Sequence, residues 1–465
     1  MYTFLNINFP RRHREFVSGT QKVPPPVFWL RIRSPKAGKG TEKALFSAVF
    51  MSVRTGSDRL SAGCPAFSYA RHMKPLSRRS CRRLNCVHYT KKKLLLPLAV
   101  IIKYNATVLK SDEKLECLEH RQTGRKAGRR LHEEARAMLT IRENLLETIH
   151  GGHPDRFVRQ YEFLKMLGTP FALYNHNPKR GEYNVVNAWG ITRSFPANTP
   201  GAFPVHTPEK VVIKDITHWR DYVHAPMVKW SDEEWEPFIE RAEAVDRKQY
   251  FAAAMAVPGI FEQCHHLGEI QRTLINLYEN PEDMHDLIRY ITDFELRLAD
   301  EMCSHLHPDA LFHHDDWGTQ LSTFMSPDMF DEFYLEPYKE VYGYYRSRGV
   351  KLIVHHSDSY AATLVPEMIE MGIDIWQGVM VANDVPALIK QYGGKISFMG
   401  GIDSAAVDRP DWTPERCAAE VRRACTEYGK LYFIPCTTMG GPESTFPGVY
   451  DTVGDEIDKM SKELF

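Results

Sequence analysis

The second half of this chain alternates short apolar runs with helical segments, and this alternation constrains the fold more than any other feature. Six such runs occupy residues 250–259, 309–318, 350–359, 372–379, 395–403 and 430–438, and nearly all of them end in glycine or in polar side chains. Several of the intervening segments begin with Ser, Asp or Thr before Pro and end at Gly, which is typical helix punctuation. Strand alternating with helix throughout predicts a parallel β-sheet.

The expected architecture is a (β/α)8 TIM barrel. The 465−137 = 328 residues after position 137 leave room for two further strands before residue 250, and this length fits a barrel with insertions. Segments 182–195 and 206–226 have the character of strands or hairpins inserted before the regular units. A doubly wound open sheet is the alternative, but no glycine-rich phosphate loop follows the first strand.

The first 137 residues differ in composition from the rest. They carry 29 Lys+Arg against 9 Asp+Glu, net +20, whereas residues 138–465 carry 30 against 50, net −20. A segment so basic and so poor in apolar periodicity is expected to be disordered. We interpret it as upstream sequence outside the working protein, with a genuine basic tail as the alternative. The working domain, 138–465, begins with a capping-box pattern at Thr140 and Glu143.

Composition also bears on partners and compartment. The acidic domain has no field that would attract nucleic acid, and the basic segment lacks interleaved stacking aromatics. The apolar run at 94–102 is too short to span a bilayer and contains Pro97. The nine cysteines show no disulfide framework, so we expect a reducing compartment, the cytoplasm. The sequence predicts neither nucleic-acid nor membrane binding.

Polar side chains follow the predicted strands, and a parallel barrel collects strand ends on one face. His356, Asp358 and Cys436 offer the nitrogen, oxygen and sulfur ligands that zinc accepts. His356 and Asp358 are two residues apart, so both side chains can point the same way. The other candidates at the strand ends are Asp315, Asp316, Gln320, Gln377 and Asp403.

Structural roles compete with these functional ones. Cys436 can be a small core residue, since buried cysteines are common. Asp403 can cap a helix, the "HHDD" sequence at 313–316 can be a solvated loop, and His265 and His266 fit a helix start.

The ordered set of motifs resembles the uroporphyrinogen decarboxylase superfamily. It comprises "VPGIFEQCHHLG" before "ENPEDM", "DDWGTQ" before "SPDMFDEFYLEPY", "HSD" at 356–358, "MGIDIWQG", "YGGKISFMGGID" and "YFIPC". The resemblance covers roughly residues 140–465. It implies a (β/α)8 barrel with the active site at the carboxyl ends of the strands.

Within the superfamily the chain looks closer to the cobamide-linked methyltransferases than to uroporphyrinogen decarboxylase. Those methyltransferases carry a zinc site of His-x-Cys plus a distant Cys, which His356 and Cys436 match. Asp358 stands where the middle Cys is expected, and an Asp ligand transfers less charge to zinc than thiolate does. The arginine-rich loop of the decarboxylases has no convincing counterpart, although 26–34 is faintly similar.

The resemblance therefore implies a methyltransferase that moves a methyl group between a small substrate and a corrinoid held by a partner protein. Zinc would be held by His356, Asp358 and Cys436, with Asp316 joining His356 and Asp358 in catalysis. Asp315, Gln320, Gln377 and Asp403 would bind substrate, and a homodimer is compatible with the family. The alternatives are a carboxy-lyase of tetrapyrrole biosynthesis and a non-catalytic ligand-binding barrel.

Overall fold

The computed structural model describes residues 138–199, 201–438 and 441–465. The prediction of disorder for residues 1–137 lies outside the described residues. The strands are β1 (Leu164–Met166), β2 (Val185–Val186), β3 (Thr192–Ser194), β4 (Phe203–Pro204), β5 (Phe251–Ala256), β6 (Ala310–His314), β7 (Leu352–His356), β8 (Ile375–Val379), β9 (Ser397–Ile402) and β10 (Phe433–Thr437).

Helices alternate with the longer strands. They are α1 (Ile141–Ile149), α2 (Pro170–Tyr174), α3 (Asp232–Glu243), α4 (Ile260–Gly268), α5 (Ile270–Glu279), α6 (Pro281–Leu306), α7 (Pro327–Phe330), α8 (Glu336–Ser347), α9 (Val365–Glu370), α10 (Val385–Tyr392), α11 (Ser404–Val407), α12 (Pro414–Tyr428) and α13 (Val449–Leu464). A π-helical turn, Asp331–Leu335, joins α7 to α8. No helix among these described residues is long and apolar enough to cross a membrane.

Seven strands form one parallel sheet in the order β1-β5-β6-β7-β8-β9-β10. All six apolar runs after residue 250 are strands of this sheet, which confirms the prediction of a parallel α/β fold. Each of these seven strands contributes inward side chains to one buried apolar cluster, from Leu164 on β1 to Ile434 on β10. Side chains of the first and last strands can share a core only if the sheet curls round on itself.

The ring of strands is not closed by backbone pairing within the described residues, because β1 and β10 pair only with β5 and β9 respectively. The chain just before β1 lies at this opening. Gln160 accepts a hydrogen bond from the thiol of Cys436 at 3.9 Å and donates one to the carbonyl of Tyr450 at 2.9 Å. The segment before β1 therefore lies beside the last strand and is held there by side-chain hydrogen bonds. It takes the place of the eighth strand that a closed barrel would have.

An antiparallel sheet, β2-β3-β4, is inserted before β5. The predicted hairpin at 182–195 is confirmed by the pairing of β2 with β3. The prediction for 206–226 was wrong, since this segment contains a 3₁₀ helix at Ile216–Asp221 and no strand. Its apolar side chains, including Ile216 and Trp219, instead anchor irregular backbone in the outer core.

Two local features stabilise the start of the domain. Thr140 and Glu143 form the expected capping box at the start of α1, with reciprocal side-chain to backbone bonds. At the amino-terminal end of the sheet, Asp309 binds Arg142 at 3.1 Å and Arg247 at 2.9 Å. This ion cluster joins α1, the approach to β5 and the approach to β6.

Candidate functional site

Four histidines occur as two adjacent pairs, His313–His314 on β6 and His355–His356 on β7. Strand alternation turns one member of each pair inward and the other outward. β6 and β7 are in register, with His313 opposite His355 and His314 opposite His356. Because neighbouring residues on a strand face opposite sides, His314 and His356 point inward with the apolar core residues that precede them. Their rings stack at 4.3 Å between centroids.

A pocket of about 490 Å³ opens above this inward pair, at the carboxyl ends of β5, β6 and β7. One part of its lining is polar: Arg193, Glu262, His266, His314, Asp316, His356 and Asp358. The other part is largely apolar and aromatic: Tyr161, Leu164, Met166, Phe203, Met255, Val257, Pro258, Phe312, Pro442 and Tyr450. A pocket with an apolar wall and convergent polar groups suits a small organic substrate.

The donor atoms of His314, Asp316 and His356 lie within 4.8 Å of one another, close enough to hold a metal ion after small side-chain adjustments. His356 is oriented for this role because its Nδ1 contacts the amide oxygen of Gln377. The Gln377 amide nitrogen donates to the carbonyl of Thr438 at 3.4 Å, which fixes the orientation of the amide. Since an amide oxygen accepts only, Nδ1 carries the proton and Nε2 keeps its lone pair, the arrangement found behind metal-binding histidines.

The carboxylates at the pocket floor have divergent electrostatics. Burial, with Asp316 nearby, raises the pKa of Asp358 to about 6. Burial and the charges of Asp316 and Asp315 raise the pKa of Glu262 well above its usual value. Burial opposes ionisation of Asp316 too, but His314, His356 and the hydrogen bond from the Asp358 backbone act in the other direction, and the pKa of Asp316 is lowered. Asp316 is therefore the carboxylate of the group that stays ionised to the lowest pH, and its Oδ1 accepts the Asp358 backbone N–H at 2.9 Å.

The outward histidines support the site from behind. The hydroxyl of Tyr342 is 2.9 Å from the Nδ1 atoms of both His313 and His355, and His313 Nε2 is 3.1 Å from Glu295. The tyrosine-rich helix α8 is thus hydrogen-bonded to β6 and β7. These bonds fix the two strands that carry the inward pair.

Asp315 caps helix α4 and does not line the pocket. Its two oxygens accept the backbone N–H groups of Phe261 and Glu262 at 2.8 and 2.9 Å, and Tyr338 donates a third hydrogen bond. A carboxylate at a helix N-terminus accepts hydrogen bonds from otherwise unpaired N–H groups, and its negative charge interacts favourably with the positive end of the helix dipole. A Cβ atom at position 259 would lie 2.5 Å from Oδ2 of Asp315. Glycine at this position therefore permits the close approach of the carboxylate.

The structure brings some of the predicted site residues together and separates others. His356, Asp358 and Asp316 line the pocket, while Gln377 lies behind His356. Asp403 caps helix α11, accepting the backbone N–H of Ala405 at 3.0 Å, and Gln320 is in the loop after β6, outside the pocket lining.

Cys436 stands apart from the polar floor. It is fully buried in the inner apolar cluster, and burial raises the pKa of its thiol far above its usual value. Among the described residues, the groups arranged for a metal ion include neither Cys436 nor Asp358. The predicted trio of His356, Asp358 and Cys436 is therefore not assembled here: Cys436 faces the inside of the curled sheet as His356 does, but it lies within the apolar cluster and outside the pocket lining.

Comparison with known proteins identifies the domain. Residues 259–434 match the family model for uroporphyrinogen decarboxylase (URO-D). This stretch is a URO-D family domain. It runs from the start of α4 through β9 and ends at the second residue of β10, so it contains His314, Asp316, His356 and Asp358. The superfamily resemblance inferred from the motifs is confirmed.

Solved structures similar to the chain are distant in sequence. A methyltransferase from Methanosarcina mazei is 15% identical, with a TM-score of 0.48, covering 69% of this chain and 99% of that one. A putative vitamin-B12-independent methionine synthase from Listeria monocytogenes is 13% identical, with a TM-score of 0.30 and coverage of 52% and 72%. An endo-β-1,4-xylanase from Gloeophyllum trabeum is 9% identical, with a TM-score of 0.31 and coverage of 49% and 81%. No curated protein matches the chain.

Sequence reasoning missed several polar residues of the pocket in the URO-D domain and the chain before it. His314 lies two residues before the predicted Asp316, the same spacing as His356 and Asp358, so the same strand argument finds it. Glu262 and His266 are four apart on α4, contrary to the expectation that His266 lies at a helix start. Arg193 comes from the inserted sheet, which no local pattern connects with β6 and β7.

Tyr161 was also missed, and its environment is unusual. Its hydroxyl is buried and has no hydrogen-bond partner among the described residues, although the ring lines the pocket. A buried hydroxyl without a partner is costly.

Proposed function

We propose that the chain is a cytoplasmic methyltransferase of the URO-D superfamily, with its site at the top of a TIM barrel. It would move a methyl group between a small substrate and a corrinoid carried by a partner protein. A zinc ion would assist, held by His314, Asp316 and His356. The observation that carries the proposal is the open His/Asp/His group at the strand ends, with His356 oriented by Gln377.

The ligand set supports a catalytic metal. Three protein donors with a position left open toward a pocket is the arrangement of catalytic zinc, whereas structural zinc is enclosed by four. Bound there, the metal would polarise a substrate oxygen or lower the pKa of a bound nucleophile. The two imidazoles and one carboxylate replace the thiolate-rich set expected from the resemblance.

The protein's own side chains would position the substrate. The aromatic and aliphatic wall would bind an apolar body and exclude water from the methyl group being transferred. Asp358, beside Asp316 at the floor, would hold or return the proton of a substrate hydroxyl or amine. Arg193 would pair with a negatively charged substituent.

Elemental analysis of the untagged full-length chain tests the metal centre. We expect zinc to be retained through gel filtration by the native protein and by the Cys436→Ser variant, and lost from His356→Ala. Methyl transfer to an added corrinoid protein would be followed by the cobalt absorption spectrum. Zinc loss in Cys436→Ser with retention in His356→Ala would contradict the assignment.

Decarboxylation is the competing outcome. In the described lining Arg193 is the one Arg or Lys side chain, against three carboxylates, which is poorly suited to a substrate with many carboxylates. Metal-independent release of carbon dioxide from a pyrrole or aromatic acid would replace the methyltransferase proposal.

A further inference from the structure

Glu262 lies between two groups of metal-competent side chains. Its Oε2 is 3.4 Å from Nε2 of His314, a member of the His314/Asp316/His356 group. Its other oxygen, Oε1, is 4.0 Å from Nε2 of His266. The two oxygens of one carboxylate thus face two different sets of imidazoles.

The second set comes from helix α4. Glu262, His265 and His266 occupy positions i, i+3 and i+4, which lie on one face of a helix. Their donor atoms lie within 4.8 Å of one another, and all three side chains are buried. Two neutral imidazoles and a carboxylate form a ligand set for zinc or another borderline divalent ion.

The position of α4 brings two members of the second set, Glu262 and His266, to the same pocket. Asp315, next in sequence to the proposed ligand Asp316, holds the first turn of α4 through its two bonds to backbone N–H groups. Glu262 and His266 line the pocket together with His314, Asp316 and His356.

We propose that this pocket binds two divalent metal ions, the second held by Glu262, His265 and His266, with Glu262 bridging the two. This inference rests on the metal centre proposed above. A bridging carboxylate sets a metal–metal separation of roughly 3.5–4 Å, typical of two-metal sites.

The charge of the pocket floor supports two ions. Glu262, Asp316 and Asp358 together offer three carboxylates, and Arg193 is the one guanidinium among the described lining residues. Several carboxylates collected in one buried site are stabilised when cations join them. A second divalent ion would also give the pocket a second site for a substrate oxygen.

Metal stoichiometry in matched variants tests the proposal. The untagged full-length chain would be loaded with zinc, gel-filtered and analysed for metal. We expect two ions per chain in the native protein and one in each of His265→Ala and His314→Ala. Glu262→Gln should weaken both sites, and His218→Ala, an exposed histidine outside the pocket, should retain two.

Manganese provides a measurement that does not depend on a variant folding. Two Mn²⁺ ions bridged by a carboxylate give an exchange-coupled electron paramagnetic resonance spectrum, whereas isolated ions give simple six-line spectra.

One ion in the native protein, lost in His314→Ala and kept in His265→Ala, would overturn the second site and leave the proposed function intact. One ion lost only in His265→Ala would overturn the first centre, and a native protein without metal would overturn both.

Discussion

At the scale of single residues, the side of the strand decides the role of each histidine. His314 and His356 face the pocket, whereas His313 and His355 face helix α8 and share the hydroxyl of Tyr342. Of two histidines adjacent in sequence, one thus lines the pocket and the other binds the helix behind the sheet. A substitution is interpretable only when that side is known.

Replacing Gln377 by Met should weaken metal binding about 10- to 100-fold, because His356 loses the acceptor that fixes its tautomer and orientation. Competition with a chromophoric zinc chelator measures the affinity. Gln320→Met, outside the pocket lining, is the matched control and should bind metal like the native protein. Equal affinities in both variants would contradict the orienting role of Gln377.

Replacing Tyr161 by Phe should leave stability unchanged or slightly increased, because the hydroxyl has no partner among the described residues. If the hydroxyl bonds to substrate, kcat/KM should fall about 3- to 10-fold, the effect of one neutral hydrogen bond. Steady-state kinetics and thermal melting test both parts. Tyr183→Phe, which is 59% exposed, is the control, and a destabilised Tyr161→Phe enzyme with native kcat/KM would refute the interpretation.

At the scale of elements, helix α4 is fixed by a side chain from a neighbouring strand end. Asp315 does for α4 what Asp403 does for the short helix α11, but it accepts two backbone N–H groups and a phenol while fully buried. The position of Glu262 therefore depends on Asp315, although Asp315 does not reach the pocket.

Asp315→Asn should reduce the free energy of unfolding by about 1–3 kcal/mol, since an amide cannot accept all three hydrogen bonds in place of the carboxylate. Asp403→Asn should be nearly neutral, because Asn and Asp cap helices about equally well. Urea denaturation midpoints compare the two variants. Similar losses in both would show that the extra bonds of Asp315 contribute little.

The regular part of the fold was predictable because each buried strand and each capped helix leaves a local pattern. All six apolar runs are strands, and Thr140 and Glu143 form the predicted capping box of helix α1. The inserted segment was only partly predictable, since the 3₁₀ helix at Ile216–Asp221 depends on tertiary packing. For the site, the two-residue rule applied to His356 and Asp358, but the placement of Cys436 within the apolar cluster, outside the pocket lining, depends on tertiary packing.

At the scale of the whole molecule, the end of the sheet opposite the pocket is joined by an ion cluster. Asp309 connects Arg142 on α1 with Arg247, residues far apart in sequence, and its side chain is 13% exposed. Partly buried pairs of this kind resist screening better than surface pairs do.

Asp309→Asn should destabilise the domain by about 1–2 kcal/mol, because two guanidinium groups lose their charged acceptor. Asp411 offers a matched control, since it also binds two arginines, Arg409 and Arg416, but its side chain is 59% exposed. Asp411→Asn should show no measurable change in melting temperature. If the two variants melt alike, burial does not strengthen the Asp309 cluster.

The register of β6 and β7 gives the pocket floor the form of a small grid. His314 and Asp316 occupy one column and His356 and Asp358 the other. The backbone pairing that aligns the two histidines uses neither of their side chains, while the Asp316 carboxylate accepts the Asp358 backbone N–H. The coordination chemistry can therefore be rewritten without redesigning the scaffold. A cysteine at position 358 would bring a soft ligand beside His356, so metal preference could drift from hard to soft ions through single codon changes.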